Sequence, residues 1–330
     1  MSYDFGIIDA QYILRRNWSI QRSRGKVNQF LLMKSFIQSV FKLKRDFGFD
    51  RALLCFDSAP YYAMLENPDY KADREYVTQE SLEDMESNLI FMTDEAEIAE
   101  LKKRIEEYKV KIENEKAFQY VKYEMVGNGT RLGFRTLIKK HWEADNIAFA
   151  CAEKCRELGY SAILITTDHD WCNFRSKYVT YSTPKNENRN DYTRDLILQS
   201  RKLRIPLYEL GILREIYGDS HNNAKGFDFS DKVSFDEFAL KLYNEDTTLE
   251  GYTKARNFYN AMNIKSHMSE IQPLLEFTML SGIEVKVSDW FEFVSKNKFM
   301  LPVGNYNEFI IGNDKDYRKS VPPPISRSNP

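Results

Sequence analysis

Three short apolar runs, each followed by an aspartate, constrain the fold of this 330-residue chain more than any other feature. The aspartates that follow the runs at 3–8, 51–56 and 162–165 are Asp9, Asp57 and Asp168. The run at 162–165 is continuously apolar, which is typical of a strand buried on both faces of a parallel sheet. A single strand ending in aspartate means little, because turns favour this residue. Three such strands predict an α/β fold with its ligand crevice outside the carboxyl ends of a mostly parallel sheet.

A helix is predicted just before the third strand, with acidic residues at its start. Its apolar positions, which recur at helical spacing, are Ile147, Ala148, Cys151, Ala152, Cys155 and Leu158. Glu143 and Asp145 stand where the helix begins, and Gly159 ends it. Helix capping and the helix dipole are one explanation for these two acids. They do not explain Asp168 and Asp170 beyond the strand, so the four carboxylates together indicate a metal site.

Carboxylates gathered at one sheet edge suit the hydrolysis of phosphodiesters. This reaction needs an activated water and neutralised charge on the attacking and leaving oxygens, and two divalent cations ~3.5–4 Å apart supply both. Mg²⁺ and Mn²⁺ prefer carboxylate oxygen and water to imidazole or thiolate. The four histidines form no ligand pattern. We therefore expect two Mg²⁺ or Mn²⁺ ions.

Composition narrows the class of protein. A net charge of −2 argues against a coat of nucleic acid over the whole surface, although it allows a local basic groove. No apolar run approaches the ~18 residues of a membrane span, and the N-terminus does not resemble a signal peptide. The four cysteines form no CxxC pair, which predicts buried thiols in a reducing compartment rather than a zinc site. We expect a cytoplasmic protein, in the host cytoplasm if the chain is phage-encoded.

The order of the polar motifs is quite specific. The motifs are Asp9 in the first strand, Asp57 followed by Tyr70-Lys71-Ala72-Asp73-Arg74, Glu143-Ala144-Asp145, Asp168-x-Asp170, and Gly218-Asp219-x-x-Asn222-Asn223. This order, over roughly residues 1–226, resembles the 5′-nuclease superfamily. That family includes flap endonucleases, polymerase-linked 5′–3′ exonucleases and the T-even phage ribonuclease H.

The resemblance implies a PIN-like, mostly parallel sheet flanked by helices, and cleavage of flapped, nicked or RNA-primed DNA from the 5′ end. The metal ligands that it implies are Asp9, Asp57, Glu143, Asp145, Asp168, Asp170 and Asp219. Lys71 and Arg74 match the family's basic helix, which steers the scissile phosphate. The chain departs from the family at Asn146 and Asn222, where relatives often have Asp, and it lacks a recognisable helix-hairpin-helix after residue 223.

The resemblance also divides the chain. We expect a nuclease domain over 1–226 with a helical arch at 75–127, a helical subdomain over 227–312, and a disordered tail over 313–330. The segment 75–115 has 13 acidic and 5 basic residues, which is unusual for a surface that guides a nucleic acid strand. The alternative is a solvated helical hairpin that packs on itself or on a partner.

Two basic segments are candidates for contact with nucleic acid. The first is a predicted loop after the first strand with Arg15 and Arg16, and the second contains Lys185, Arg189 and Arg194. Expected partners are DNA with a 5′ flap or nick, an RNA–DNA hybrid, and a replication protein bound through the arch or tail. A PIN-type endoribonuclease on single-stranded RNA and a non-catalytic junction-binding scaffold remain alternative functions.

Overall fold

The part of the chain that the structure describes forms a five-stranded sheet surrounded by helices. The structure, a computed structural model, describes residues 3–59, 61–68, 70–71, 77–168, 170–184, 191–218, 233–283 and 285–297. The strands are β1 (Tyr3–Asp9), β2 (Phe49–Phe56), β3 (Arg135–Ile138), β4 (Ala162–Ile165) and β5 (Val179–Ser182). The helices are α1 (Ala10–Arg22), α2 (Gln29–Phe47), α3 (Tyr62–Glu66), α4 (Gln79–Leu89), α5 (Glu95–Asn128), α6 (Ala144–Leu158), α7 (Asp191–Leu203), α8 (Leu207–Gly218), α9 (Phe235–Tyr243), α10 (Tyr252–Met262), α11 (Met268–Leu280) and α12 (Val287–Lys296).

All neighbouring strands run parallel, in the order β3-β2-β1-β4-β5. The predicted α/β class with a parallel sheet is therefore confirmed. The chain builds the sheet outward from β1 to β3 and then continues on the other side with β4 and β5. Parallel sheets open a ligand crevice at such a switch point, here outside the carboxyl ends of β1 and β4.

Alternate residues of the central strands pack into two separate cores, as the period of two in a strand requires. In β1, Ile8 lies in the core formed with α1, α2, α5 and α12, whereas Ile7 lies in the core formed with α6 and α11. Leu54 and Leu53 in β2 divide in the same way. Both faces are covered, which explains the continuous apolar runs in the sequence.

The basic segment 15–26, predicted to be a loop, is mostly helical, because α1 extends through Arg22. Asp9 caps the helix, since its Oδ1 accepts a hydrogen bond of 2.8 Å from the backbone N–H of Tyr12. Ile13 and Trp18 are buried on the inner face of α1. This apolar stripe between the arginines stabilises the helix by packing on α2 and α5.

Helices α4 and α5 form a hairpin, here called the α4/α5 hairpin (residues 79–128). Leu82, Ile105 and Ile112 form a small apolar cluster between the two helices. Farther along α5, Phe118 and Val121 are buried in the core that covers the sheet. The first half of α5 thus packs on α4 and the second half on the sheet. The arch stays a prediction.

The C-terminal helices extend clusters that the preceding chain begins. Phe238 of α9 and Phe258 of α10 pack with α8, whereas Leu275 of α11 packs on the α6 side of the sheet. Trp290 and Phe293 of α12 lie in the core with α1 and α2. The predicted division into domains stays a prediction, and the predicted tail lies outside the described residues.

Two further expectations concern the cysteines and the membrane. The four cysteines, all within the described ranges, are buried thiols, as predicted. Among the helices that the structure describes, none combines the length and apolarity needed to cross a membrane.

Candidate functional site

A cleft of about 790 Å³ opens at the carboxyl edge of the sheet. It is lined by six of the seven predicted metal ligands: Asp9, Asp57, Glu143, Asp145, Asp168 and Asp170. The seventh, Asp219, lies outside the described residues, as does Asn222. The ends of β1, β2 and β4 and the start of α6 therefore deliver their acids to one place, although their role as metal ligands stays a prediction.

Asp9 lies at the switch point of the sheet. Its Oδ2 accepts a hydrogen bond of 2.8 Å from Oγ1 of Thr166, the residue that follows β4, so this bond joins the ends of two adjacent strands. Burial raises the pKa of Asp9 to about 7, and the charges of Asp57 and Asp168 also raise it. Asp9 is thus a buried carboxyl that a nearby positive charge would favour in its ionised form.

The start of α6 shows that capping does not explain Glu143. Glu143 occupies the N-cap position, but its side chain makes no capping hydrogen bond. Asp57 provides a bond there instead, because its Oδ1 accepts a hydrogen bond of 2.8 Å from the backbone N–H of Ala144. The carboxylate of Glu143 forms an ion pair with Lys71. The end of β2 therefore anchors α6 and leaves Glu143 facing the cleft.

Asp145 lies in the first turn of α6 and contacts the chain beyond β4. Its Oδ1 accepts a hydrogen bond of 2.5 Å from Nε1 of the buried Trp171. Burial raises the pKa of Asp145 well above its ordinary value, and the charges of Asp168 and Glu143 raise it further. Asp168 and Asp170 are held together, since Oδ1 of Asp168 accepts 2.9 Å from the backbone N–H of Asp170.

Two lysines enter the cleft from different elements. Lys71, one of the predicted site residues, has a φ of +57°, which lies in the left-handed region. Non-glycine residues seldom adopt this region, and those that do are often found at functional sites. Lys122 of α5 was not predicted, and its Nζ donates 2.6 Å to the backbone carbonyl of Asp57. Burial lowers the pKa of Lys122. Arg74, the other predicted basic residue of the Lys71 segment, lies outside the described residues.

Only one of the residues predicted to contact nucleic acid is seen to line the cleft. Arg15 lines the cleft, where its guanidinium pairs with Glu115 at 2.8 Å and lies 3.7 Å from the ring centroid of Phe118. Arg16 is exposed on α1 and is not among the residues that line the cleft. Of the second basic segment, Lys185 and Arg189 lie outside the described residues, and Arg194 falls in α7, where only its backbone is described; their contacts stay predictions.

The structure adds Tyr70 and Glu215, whose roles the motifs do not indicate. The Tyr70 hydroxyl donates a hydrogen bond of 2.9 Å to Oε1 of Glu215, and it lies 3.4 Å from Oε2 of Glu143. Burial raises the pKa of Glu215 to about 7, although the charge of Lys71 lowers it. Tyr70 adjoins the Lys71 motif and could have been singled out from the sequence. Glu215 could not, because α8 meets this motif only through the fold.

The donor set suits hard divalent cations. Described residues place eight carboxylates and three basic side chains around the cleft. As they stand, no three His, Cys, Asp or Glu side chains within the described ranges are grouped closely enough to hold one ion. Several of the carboxylates are held by protein donors, such as the Ala144 N–H and the Trp171 indole. Their chemistry, all oxygen and mutually repelling, fits Mg²⁺ or Mn²⁺.

The chain is similar to solved structures of nucleases from bacteriophage T5. It has 17% sequence identity and a TM-score of 0.41 with a T5 protein co-crystallised with metal ions, covering 89% of this chain and 98% of that one. With zinc-bound T5 5′-exonuclease the sequence identity is 17% and the TM-score is 0.40. With the T5 flap endonuclease in a pseudo-enzyme-product complex with DNA and metal ions, the identity is 17% and the TM-score is 0.38. Each of these two comparisons covers 89% of this chain and 97% of the other chain. No family model and no curated protein match the chain by sequence.

Proposed function

We propose that this protein is a divalent-metal-dependent 5′ nuclease that cleaves flapped, nicked or RNA-primed DNA from the 5′ end. The observation that carries the proposal is the cleft itself. Six acids from three parallel strands and one helix start line it together with Lys71. Acids in this arrangement suit two cations, which would activate a water and neutralise charge on the reacting phosphate.

The basic residues give the cleft a place for the phosphate. Lys71 pairs with Glu143, a predicted metal ligand, so its ammonium group lies beside the acids rather than on the outer surface. A cationic donor held there stabilises the charge that develops on a phosphoryl oxygen. Lys122 keeps its ammonium group against the end of β2, on the α5 side of the same cleft.

The α4/α5 hairpin supports entry of a single strand. Thr78 just before α4, and Glu115, Gln119 and Lys122 of α5, line the cleft. The hairpin therefore borders the cleft, in the position that an arch around a 5′ end would occupy. Its acidic outer part offers little attraction for phosphate, so we assign substrate attraction to the cleft's own cations and basic residues.

A cleavage assay tests the proposal. The substrates are a 5′-labelled DNA flap, a nicked duplex with an RNA 5′ segment, and single-stranded RNA, each with Mg²⁺ or with EDTA. We expect Mg²⁺-dependent cleavage of the first two, and loss of cleavage with retained binding in Asp168→Ala. Cleavage of single-stranded RNA alone would identify an endoribonuclease, and binding without cleavage would identify a scaffold. Either result contradicts the proposal.

A further inference from the structure

The turn between α4 and α5, here called the hairpin tip (residues 90–94), carries apolar side chains that the hairpin itself does not bury. Ile90 and Phe91 are 79% and 82% exposed, the highest values among the large hydrophobic residues that the structure describes. Other apolar residues of the hairpin, such as Leu82 and Ile105, are buried between the two helices. The hairpin thus closes without Ile90 and Phe91. Adjacent exposed apolar side chains with polar surroundings are a feature of interaction sites.

The backbone of the hairpin tip is held by hydrogen bonds. The N–H groups of Ile90 and Phe91 donate to the carbonyl oxygens of Ser87 and Asn88, each at 3.2 Å. Asp94 caps α5, because its Oδ1 accepts hydrogen bonds from two backbone N–H groups of the first turn. The two apolar side chains are therefore presented on a defined backbone, which lowers the entropy cost of binding.

The chain around the hairpin tip is strongly acidic. Residues 79–101 contain eight acidic residues and no basic residue. Of these eight acids, only Glu86 forms an ion pair among the described residues, with Lys109. Such a surface repels nucleic acid and anionic membranes, because both carry negative charge. The surface that the hairpin tip fits is therefore apolar in the middle and positively charged around it.

A groove with this character lies near the base of the hairpin. It has a volume of about 300 Å³ and lies between the turn that joins α1 to α2 and the middle of α5; we call it the α1/α5 groove. Its apolar lining consists of Val27, Phe30 and Ala117. Val27 and Ala117 are buried and Phe30 is half-buried. The α1/α5 groove thus offers apolar contact to an incoming aromatic or aliphatic side chain.

Positive charge surrounds the α1/α5 groove. Lys26 on its rim pairs with Glu113, whereas Lys116 is exposed and forms no ion pair with any residue that the structure describes. Residues 10–45, which include α1 and most of α2, contain nine basic residues and no acidic residue. Complementary charge steers two protein surfaces together and fixes their relative orientation. The groove and the hairpin tip are therefore complementary in both polarity and charge.

These two surfaces cannot meet within one chain. Helix α5 is continuous from Glu95 to Asn128, and a helical rise of ~1.5 Å per residue places Glu95 roughly 30 Å from Lys116. The second half of α5 is also fixed in the core over the sheet, where Phe118 is buried. Only another copy can bring a hairpin tip to the groove. When two copies lie antiparallel, each tip reaches the groove of the other, which closes a two-fold dimer.

We propose that the hairpin tip docks into the α1/α5 groove of a second copy of this chain and forms an antiparallel two-fold dimer. Phe91 enters the apolar part of the groove, and the acids that follow the tip, Glu95 and Glu97, lie against Lys116. The proposal is independent of the proposed function, because neither surface contains a predicted metal ligand.

Sedimentation velocity of the full chain at increasing protein concentration tests the proposal. We expect a monomer–dimer equilibrium that weakens with added salt. Phe91→Ser should raise the dimer dissociation constant by at least about tenfold, because the contact no longer buries the phenyl ring. The matched control is Phe277→Ser on α11, which replaces a phenylalanine that is 73% exposed and lies outside both surfaces. This control should leave the dissociation constant unchanged.

Charge reversal tests whether the tip meets the groove. Lys116→Glu alone should weaken association, and so should the double variant Glu95→Lys/Glu97→Lys, because like charges then face each other. An equimolar mixture of these two proteins should form a heterodimer, since both of its contacts again pair opposite charges. Circular dichroism checks that each variant is folded. A mixture that associates no better than either variant alone would overturn the contact between tip and groove.

A wild-type chain that stays monomeric up to about 100 μM would overturn the proposal. Equal dissociation constants for Phe91→Ser and Phe277→Ser would do so as well, and this comparison involves only exposed side chains that folding does not require. Single-stranded DNA that binds a monomeric chain, with weaker binding in Lys116→Glu, would assign the groove to nucleic acid and exclude the second copy. These measurements need no cleavage, so the result is separate from that of the flap assay.

Discussion

At the scale of single residues, the cleft holds ionisable groups in surroundings that disfavour their charged forms. Asp9 is buried and Asp145 half-buried next to other acids, and Lys122 is buried with a lowered pKa. Lys71 compensates part of this charge through its ion pair with Glu143. Groups with opposing and perturbed ionisation in one cleft are typical of catalytic sites. They also make the stability of the metal-free protein sensitive to pH.

The first prediction concerns Lys71. Lys71→Ala should reduce the single-turnover rate of flap cleavage by ~10²–10³, the effect of removing one donor to the transition state. The matched control is Lys42→Ala on the outer surface of α2, whose partner Asp46 lies on the same helix. A rate for Lys71→Ala equal to that of the control would show that this ammonium group does not act on the scissile phosphate.

The second prediction concerns Asp9 in the absence of metal. The unfolded carboxyl ionises near pH 3.8 and the folded one near 7, so the free energy of unfolding falls as the pH rises between these values. Asp9→Asn removes this loss. The free energy of unfolding of Asp9→Asn minus that of wild type should therefore increase by roughly 2–3 kcal/mol between pH 5 and pH 8. Urea unfolding in EDTA measures the difference, with Asp46→Asn on the surface as control. Equal pH profiles for wild type and Asp9→Asn would contradict the prediction.

At the scale of secondary-structure elements, α5 has two parts with different packing. Ile105 contributes to the small cluster between α4 and α5, whereas Phe118 lies in the core over the sheet. The first part can thus open without exposing the sheet, while the second part cannot. Local opening of this kind is expected where few apolar contacts hold an element.

The third prediction compares these two positions. Phe118→Ala should lower the free energy of global unfolding by about 3–5 kcal/mol, as for other buried aromatic residues. Ile105→Ala should mainly increase hydrogen exchange in α4 and the first half of α5, with a smaller global effect. Urea unfolding and amide exchange measured on both variants check this. Equal global losses would show that the hairpin and the sheet unfold as one unit.

At the scale of the whole molecule, electrostatics oppose the proposed substrate until cations bind. The chain has a net charge of −2, and carboxylates outnumber basic side chains by eight to three among the described residues of the cleft. Phosphate binding is dominated by positive charge. Under the proposed function, divalent cations would therefore supply substrate affinity as well as chemistry.

The fourth prediction follows from this charge balance. Ca²⁺, which also binds carboxylate oxygens, should tighten binding of a phosphorothioate-linked DNA flap by at least about tenfold relative to EDTA. Fluorescence anisotropy at matched ionic strength measures the two dissociation constants. Replacing Ca²⁺ by Na⁺ at the same ionic strength should not tighten binding. Equal affinity in Ca²⁺ and EDTA would show that the basic residues alone attract the DNA.

Local patterns in the sequence determine much of this protein. Helix α6 is predicted by apolar residues at helical spacing, and strands β1, β2 and β4 by their apolar runs. Their ends carry the acids, so the sequence also predicts that Asp9, Asp57 and Asp168 meet at one sheet edge. These predictions succeed because helical period, strand burial and parallel topology are properties of short segments and general rules of packing.

Only the tertiary structure decides the rest. Strands β3 (RTLI) and β5 (VTYS) mix polar and apolar residues and lack the continuous apolar run that predicts β4. They form because β2 and β4 offer them partners. Asp57 bonds to α6 from 87 residues away, and Tyr70 bonds to Glu215 from 145 residues away. Lys122 and Glu215 look like ordinary helix residues until folding places them beside the acids. Contacts between residues so distant in sequence depend on the packing of whole helices, which no local pattern records.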